Sequence, residues 1–194
     1  MRYVIAIVSV LTLVSSSARA DDSGGGVCPE FANSIAAMRK SGGASKELGL
    51  ENASAQQKKK GLYRGWDQSV RLEGPKAAVA VRNTTTFAFK PMNANVNPNQ
   101  QIKLYPFKTA KKYRELMVGG MNNFGGTKEK SSKDDSITLK FSKISKGCYK
   151  VTPAVKLPPG QYAFSLGAGA DVEGSTTFGA STQGQTWFGF AIVE

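Results

Sequence analysis

The fold is clearest from a stretch close to the carboxyl end of this 194-residue chain, which reads Thr186-Trp187-Phe188-Gly189-Phe190-Ala191-Ile192-Val193. In an extended strand, successive side chains point to opposite faces of the sheet. The two phenylalanines and the isoleucine of this stretch share one face, and its tryptophan, alanine and valine share the other. A strand that is apolar on both faces is usually covered on both sides. We therefore predict a central strand at residues 186–193.

Shorter stretches upstream alternate apolar and polar side chains with a period of two, as Phe87 and Phe89 do. Such alternation indicates antiparallel strands with one face in water. The pattern predicts strands at residues 69–72, 77–82, 85–90, 102–107, 113–118, 137–144, 149–155, 161–166, 176–180 and 186–193. Many short strands without a long amphipathic helix are typical of an antiparallel, immunoglobulin-like β-sandwich. A closed β-barrel is the alternative, and the pattern does not separate the two.

The chain divides into three predicted segments: a signal peptide at residues 1–20, a helical and linker segment at 21–65, and a β-sandwich domain at 66–194. The short N-terminal helix is predicted after Cys28, because Phe31, Ile35 and Met38 have the spacing of one helix face. This helix is one candidate cover for the second face of the last strand. Residues 51–61 contain no large apolar side chain, which favours a solvated linker.

The first 20 residues predict export. Arg2 supplies a positive start, residues 4–14 are apolar, and Ala18 and Ala20 form the small-x-small pattern that a signal peptidase accepts. The apolar run is too short for a membrane span, which needs about 20 residues, and no other segment is apolar enough. We expect cleavage after Ala20 and a soluble protein in the periplasm or outside the cell.

The two cysteines, Cys28 and Cys148, predict one disulfide, because exported chains fold in an oxidising compartment. The bond would close a loop of about 120 residues, worth about 4–5 kcal/mol in the chain-entropy treatment. A redox-active thiol pair is the alternative, but the Cys-x-x-Cys spacing is missing. The cysteines therefore have a predicted structural role.

The net charge of the chain is +12, and it falls to +10 once Arg2 and Arg19 are removed with the signal peptide. This charge favours anionic partners such as lipopolysaccharide, phospholipid headgroups or teichoic acids. Lysine outnumbers arginine, which argues against bidentate base or phosphate recognition and so against nucleic acid. The alternative is a soluble exported protein whose lysines are simply solvated.

Several kinds of catalytic site are missing from the sequence. The chain has no histidine, which excludes Ser-His-Asp and Cys-His nucleophilic sites and most catalytic zinc sites. It also lacks the Gly-x-Ser-x-Gly elbow and a phosphate-binding loop. Asp171 and Glu173 lack the spacing of a calcium loop. We predict no catalysis, no metal and no cofactor, with a carboxylate-dependent hydrolase as the remaining enzymatic alternative.

Two basic constellations are candidate binding sites. In the first, Lys58, Lys59 and Lys60 precede aromatic side chains that could stack on a sugar or base, or could simply dock on the sandwich. In the second, lysines surround Tyr113 and form either an anion-binding ridge or an edge strand that lysine protects from pairing. The candidate binding residues are Tyr63, Arg64, Trp66, Lys111, Lys112 and Arg114.

The segment Leu157-Pro158-Pro159-Gly160-Gln161-Tyr162-Ala163-Phe164 resembles the L-P-P-G-x-Y-A-F segment of small, uncharacterised exported bacterial β-sandwich proteins. The flanking Tyr149-Lys150-Val151-Thr152-Pro153 and Trp187-Phe188-Gly189-Phe190 resemble the strands beside it in those proteins. The resemblance covers roughly residues 136–194. It implies a sandwich in which a Pro-Gly turn leads into a strand whose tyrosine packs inward, and it implies no catalytic residue.

These observations predict an exported, non-enzymatic accessory or interaction protein that binds a protein partner or an anionic component of the cell envelope. The alternative is a structural subunit of a surface assembly that pairs by strand exchange or β-augmentation. The doubly apolar last strand suggests this alternative.

Overall fold

The computed structural model describes residues 28–39, 44–59, 65–122, 126–128, 135–167 and 186–194. Within these ranges the protein contains fourteen β-strands and one helical turn, α1 (Pro98–Gln101). The predicted strand at 176–180 lies outside the described residues. The strands are β1 (Ser34–Met38), β2 (Ala44–Glu47), β3 (Leu50–Glu51), β4 (Ala53–Lys59), β5 (Trp66–Glu73), β6 (Ala80–Arg82), β7 (Phe87–Lys90), β8 (Ile102–Thr109), β9 (Tyr113–Asn122), β10 (Gly126–Lys128), β11 (Leu139–Ser145), β12 (Cys148–Pro153), β13 (Gly160–Leu166) and β14 (Thr186–Val193).

The strands form two sheets. One has five strands in the order β11-β12-β7-β1-β2, and the other has nine, seven of them in the order β3-β14-β13-β8-β9-β5-β4. In the nine-stranded sheet, β10 pairs with β9 and β6 pairs with β14. The pairing between β6 and β14 is parallel, whereas the other described strand pairs are antiparallel. The mainly β, antiparallel class predicted from the sequence is confirmed.

The main core lies between the two sheets, as in a sandwich. Phe87 of the five-stranded sheet packs between Phe164 and Phe190 of the other sheet, with ring centroids 4.9 and 4.8 Å away. Fully buried aliphatic and aromatic side chains from both sheets surround this contact. They include Ile35, Phe89, Val151, Leu104 and Leu166.

The nine-stranded sheet also curls into a half-barrel. Strand β8 pairs with β13 through its first six residues and with β9 through Lys108 and Thr109, so the sheet turns at β8. The two strands at the ends of the sheet, β3 and β4, follow each other along the chain with only Asn52 between them. The curl encloses a second core cluster, which contains Val70, Leu72, Tyr105, Phe107, Leu116, Ala163 and Trp187.

The last strand, β14, has the predicted bounds and the predicted central position. It pairs with β13 along one side and with β3 and β6 along the other. Phe188 and Phe190 belong to the core between the sheets, whereas Trp187 belongs to the cluster inside the curl. The second face of β14 is therefore covered by its own curled sheet rather than by an N-terminal helix.

The short N-terminal helix predicted after Cys28 is wrong. The chain there makes bends and turns, with Asn33 at φ 59°, and then forms β1, which pairs with β7 on one side and β2 on the other. Ile35 and Ala37 face the main core, while Phe31 is 64% exposed. A helix this short is marginal by itself, and pairing on both sides supplies the backbone hydrogen bonds instead.

The predicted linker at residues 51–61 is wrong for residues 51–59, the part of it that the structure describes. Strands β2, β3 and β4 occupy most of residues 44–59 and belong to the two sheets. Almost all of β4 is exposed, so it has no apolar face that sequence periodicity could detect. The sheets therefore include strands from both sides of the predicted boundary between residues 65 and 66.

Three local expectations have clear outcomes. Cys28 and Cys148 form the predicted disulfide, with Cα atoms 6.2 Å apart. Tyr162 packs inward at 4% exposure, donates a hydrogen bond to the carbonyl oxygen of Pro158 (2.9 Å), and has its pKa raised by burial. Gly160 is the first residue of β13, so the Pro-Gly pair leads directly into this strand.

Candidate anion-binding surface

The first predicted constellation is divided by the sheet. Lys58 and Lys59 lie in β4, where they pair with Asp67 and Trp66 of β5. Because side chains alternate along a strand, the two lysines point to opposite faces. Trp66 is half-buried and lies on the same face as Lys59. Lys60, Tyr63 and Arg64 lie outside the described residues, so the described part of this constellation forms no continuous basic surface.

The lysines of the second constellation are at the tip of the hairpin that joins β8 to β9. Lys111 and Lys112 are exposed in its turn, where the backbone N–H of Ala110 donates to the carbonyl oxygen of Tyr113 (2.8 Å). Strand β9 itself lies between β8 and β5, so the edge-strand interpretation is wrong. Protection of an edge therefore does not explain why lysine is concentrated at this hairpin.

Arg114 points away from these lysines, into the half-barrel, and is only 2% exposed. Its guanidinium donates to both carboxylate oxygens of Glu51, with Nη1–Oε1 at 3.2 Å and Nη2–Oε2 at 2.5 Å. It also donates to the carbonyl oxygens of Glu73 (2.8 Å) and Gly74 (3.1 Å). Arg114 therefore ties β9 to β3 and is not part of an exposed basic ridge.

Tyr113 lies on the outer face of the same strand and is covered by Arg71. The guanidinium carbon of Arg71 lies 4.1 Å from the ring centroid, and its Nε donates to Glu115 Oε1 at 2.8 Å. Burial acts to raise the pKa of Glu115, but hydrogen bonds from Ser69 and Arg71 and nearby positive charges outweigh it and hold the pKa below its ordinary value. One face of the Tyr113 ring is therefore covered by Arg71 and is not available for stacking on a ligand.

Strand register brings further cations to the end of the molecule where this hairpin lies. Arg82 pairs with Val193 on β14. The residue before Val193, Ile192, pairs with Gly160 on β13. The next residue of β13, Gln161, pairs with Phe107, which directly precedes Lys108. Arg82 and Lys108 are therefore at the same end of the sheet.

Lys76 also lies at this end of the sheet. It closely follows Glu73, the last residue of β5, and Glu73 pairs with Tyr113 next to the hairpin turn. We call the exposed cations collected here the basic end. They are Arg39, Lys76, Arg82, Lys108, Lys111 and Lys112. The same register places the exposed Glu73 and Glu194 near them, and the half-buried Glu115 pairs with Lys108, so the six cations outnumber these three carboxylates.

A cleft of about 280 Å³ lies at the basic end. It is lined by Met38, Arg39, Arg82, Thr84, Thr85 and Thr86. A turn holds one wall, because the N–H of Thr85 donates to the carbonyl oxygen of Arg82 at 2.9 Å. The N–H of Met38 donates to the carbonyl oxygen of Thr86 at 2.8 Å and brings the end of β1 to this turn. The cleft is therefore lined by two arginines and three threonines, and the hydroxyl group of Thr86 donates to Met38 Sδ at 3.6 Å.

Sequence reasoning missed this cleft. Arg39 and Arg82 are far apart in the chain and become neighbours only through the pairing of β1 with β7. The sequence pattern predicts the end of a helix near Arg39, and a helix would not pair with β7. The run Thr84-Thr85-Thr86 was the one local signal, and threonine is common in strands for reasons of packing alone.

Comparisons with protein-family models, with curated proteins and with solved structures give no match to this chain. Among the residues described above, no group of three histidine, cysteine, aspartate or glutamate side chains is placed to hold a metal ion. Nor does any helix in those ranges have the length and apolarity to cross a membrane. Function is therefore inferred from the charge and geometry of the described residues.

Proposed function

We propose that this chain is an exported, non-enzymatic accessory protein that binds an anionic polymer of the cell envelope through its basic end. The observation that carries the proposal is the collection of six exposed cations, from separate parts of the chain, at one end of the sandwich. The part of the chain described by the structure holds no ion pair to any of the six.

A surface of this kind suits a polymer better than a small ion. A single exposed ion pair contributes little, about 0–1 kcal/mol. A polyanion instead contacts several cations at once and releases its condensed counterions, which makes binding strong and dependent on salt. Lysine is a flexible point charge that follows irregularly spaced anions without demanding one geometry. These properties favour phosphate-bearing envelope polymers, such as lipopolysaccharide or teichoic acids.

Two features support export as part of the proposal. The disulfide between Cys28 and Cys148 belongs to a class of bond that persists in oxidising compartments. Residues 1–20 have the charge, apolar run and small residues of a signal peptide. The absence of catalysis is proposed from the sequence, because a chain without histidine lacks the commonest general base.

The test measures binding of the exported, disulfide-bonded protein to lipopolysaccharide and to lipoteichoic acid at salt concentrations from about 50 to 200 mM. We expect the logarithm of the association constant to fall linearly with the logarithm of salt for at least one polymer. The triple variant Lys108→Gln/Lys111→Gln/Lys112→Gln should bind more weakly and show a shallower salt slope.

The matched control is Lys140→Gln/Lys143→Gln/Lys150→Gln, which removes the same charge from exposed positions on β11 and β12 of the other sheet. Its affinity and salt slope should stay close to those of the unmodified protein. Equal losses in the two triple variants would show that net charge matters rather than the basic end. Binding that is absent, or that ignores salt, would overturn the proposed function.

A further inference from the structure

We propose that the cleft between Arg39 and Arg82 is a subsite for one phosphate group carried on a sugar. This inference rests on the proposed function and assigns the chemical group that the cleft would recognise in an envelope polymer. The other cations of the basic end are lysines, which attract a polyanion without selecting a particular group. The two arginines would supply that selection.

The first argument is the distribution of arginine. After the predicted signal peptide the chain contains five arginines, and one of them, Arg64, lies outside the described residues. Arg71 and Arg114 are bound to the carboxylates of Glu115 and Glu51. The remaining two both line this one cleft and are exposed. Every arginine that the structure describes is thus either paired with a carboxylate or one of the residues that line the cleft.

The second argument is the match between the donors and a phosphate group. A guanidinium presents a planar fork that binds two oxygens of a carboxylate or phosphate at once. A carboxylate has only two oxygens, and one fork occupies both. A phosphate monoester has three terminal oxygens that point in different directions. It can therefore accept from both arginines and also from the hydroxyl groups of Thr84 and Thr85.

The third argument is size. At about 280 Å³ the cleft holds the volume of roughly nine liquid waters, and it lies just below the range of roughly 300–1,000 Å³ for pockets that enclose a whole drug-sized ligand. This volume is enough for a phosphate with its sugar ring. Met38 and the threonines carry the methyl and methylene groups in this lining that the C–H face of a sugar would contact.

The test uses nuclear magnetic resonance titrations of the exported, disulfide-bonded protein with glucose 1-phosphate, inorganic phosphate and glucuronate. We expect saturable shifts of the amide signals of Thr84, Thr85 and Thr86, with glucose 1-phosphate binding tightest and glucuronate weakest. The variant Arg39→Lys/Arg82→Lys keeps both charges but loses the forks. It should bind glucose 1-phosphate about tenfold more weakly and keep the salt slope for the polymer.

The control Lys111→Gln/Lys112→Gln should retain its affinity for glucose 1-phosphate while its polymer binding weakens. Three outcomes would overturn the subsite and leave the proposed function intact: no saturable shifts, an unchanged affinity in the double-lysine variant, or glucuronate binding as tightly as glucose 1-phosphate. Inorganic phosphate binding as tightly as the sugar phosphate would overturn the role of the sugar. Failure of the unmodified protein to bind either polymer is the separate result that overturns the proposed function.

Discussion

At the scale of single residues, the pair formed by Arg114 and Glu51 has the strongest structural consequences. A buried charge is costly to desolvate, and a buried ion pair repays that cost only when its other hydrogen bonds are also made. Arg114 meets this condition, because two backbone carbonyl oxygens accept from it besides the carboxylate. The pair spans from β9 to β3, which are separated by three strands in the order of the sheet.

Gly189 on β14 provides the space for this pair. A Cβ atom at position 189 would lie 2.5 Å from Glu51 Cδ and 2.7 Å from Arg114 Nη1. Both are near the ends of flexible side chains, but these chains can move away only by breaking the buried pair. We expect Gly189→Ala to lower the free energy of unfolding by about 1–3 kcal/mol, as measured by urea denaturation.

Gly49→Ala is the control, because a Cβ there meets nothing within 4 Å. Its effect should stay within about 0.5 kcal/mol. A double-mutant cycle with Glu51→Ala sharpens the test, since removal of the carboxylate should reduce the penalty of Gly189→Ala. An equal penalty with and without Glu51 would show that the ion pair is not the reason for glycine at this position.

Contacts between residues far apart in the chain could not be predicted from the sequence. A local run of charge such as the one around Tyr113 is visible in the sequence, and the structure has Lys111 and Lys112 exposed there. That run could not show that Arg114 is buried, since the partner, Glu51, is 63 positions away. Arg39 and Arg82 were missed for the same reason.

At the scale of elements, most strands with an apolar face were predicted, except β1, whereas the polar strand β4 was not predicted. The bounds of β14 were predicted as the structure has them, and β8 and β13 nearly so. Strand β4 is polar and exposed, so its place in the sheet comes from backbone pairing alone. Residues 34–38 were assigned to a helix because a short apolar stretch fits both periodicities, and pairing with β7 and β2 decided the outcome.

The position of β14 makes a direct test of the surface-assembly alternative. Deletion of residues 188–194 removes Phe188, Phe190 and Ile192 from the main core. We expect the truncated chain to lose its folded state, because replacing even one buried phenylalanine with alanine costs about 3–5 kcal/mol. Near-ultraviolet circular dichroism and the urea transition would both report the loss.

Deletion of Glu194 alone is the control, since this residue is exposed and lies beyond β14. It should leave the fold unchanged. If the longer deletion instead gave a folded monomer that no longer assembles, β14 would be an exchanging strand and the surface-assembly alternative would gain support.

At the scale of the whole molecule, the disulfide joins the amino-terminal segment to β12 across a sequence separation of 120 residues. Cross-linking so large a loop removes conformational entropy from the unfolded chain. We expect Cys28→Ser/Cys148→Ser to lower the free energy of unfolding by roughly 5 kcal/mol under oxidising conditions.

The same urea measurement in the presence of a reductant supplies the control, because reduced and substituted chains both lack the cross-link. In the reductant, the difference in free energy of unfolding between the unmodified chain and the double-serine variant should largely disappear. A difference of similar size under oxidising and reducing conditions would mean that the serine substitutions act through packing around Cys148, which is 2% exposed, rather than through the cross-link.

The central place of β14 also governs the order in which the protein can form. A nascent chain leaves a ribosome or a translocation channel with its amino end first, and its early segments fold before later ones where they can. Here Leu50 and Glu51 must wait for Phe188 and Trp187, which lie far later in the chain. Strand β13 lacks one of its two neighbours until β14 has emerged. The second core cluster, which contains Trp187, should therefore close only in the late steps of folding.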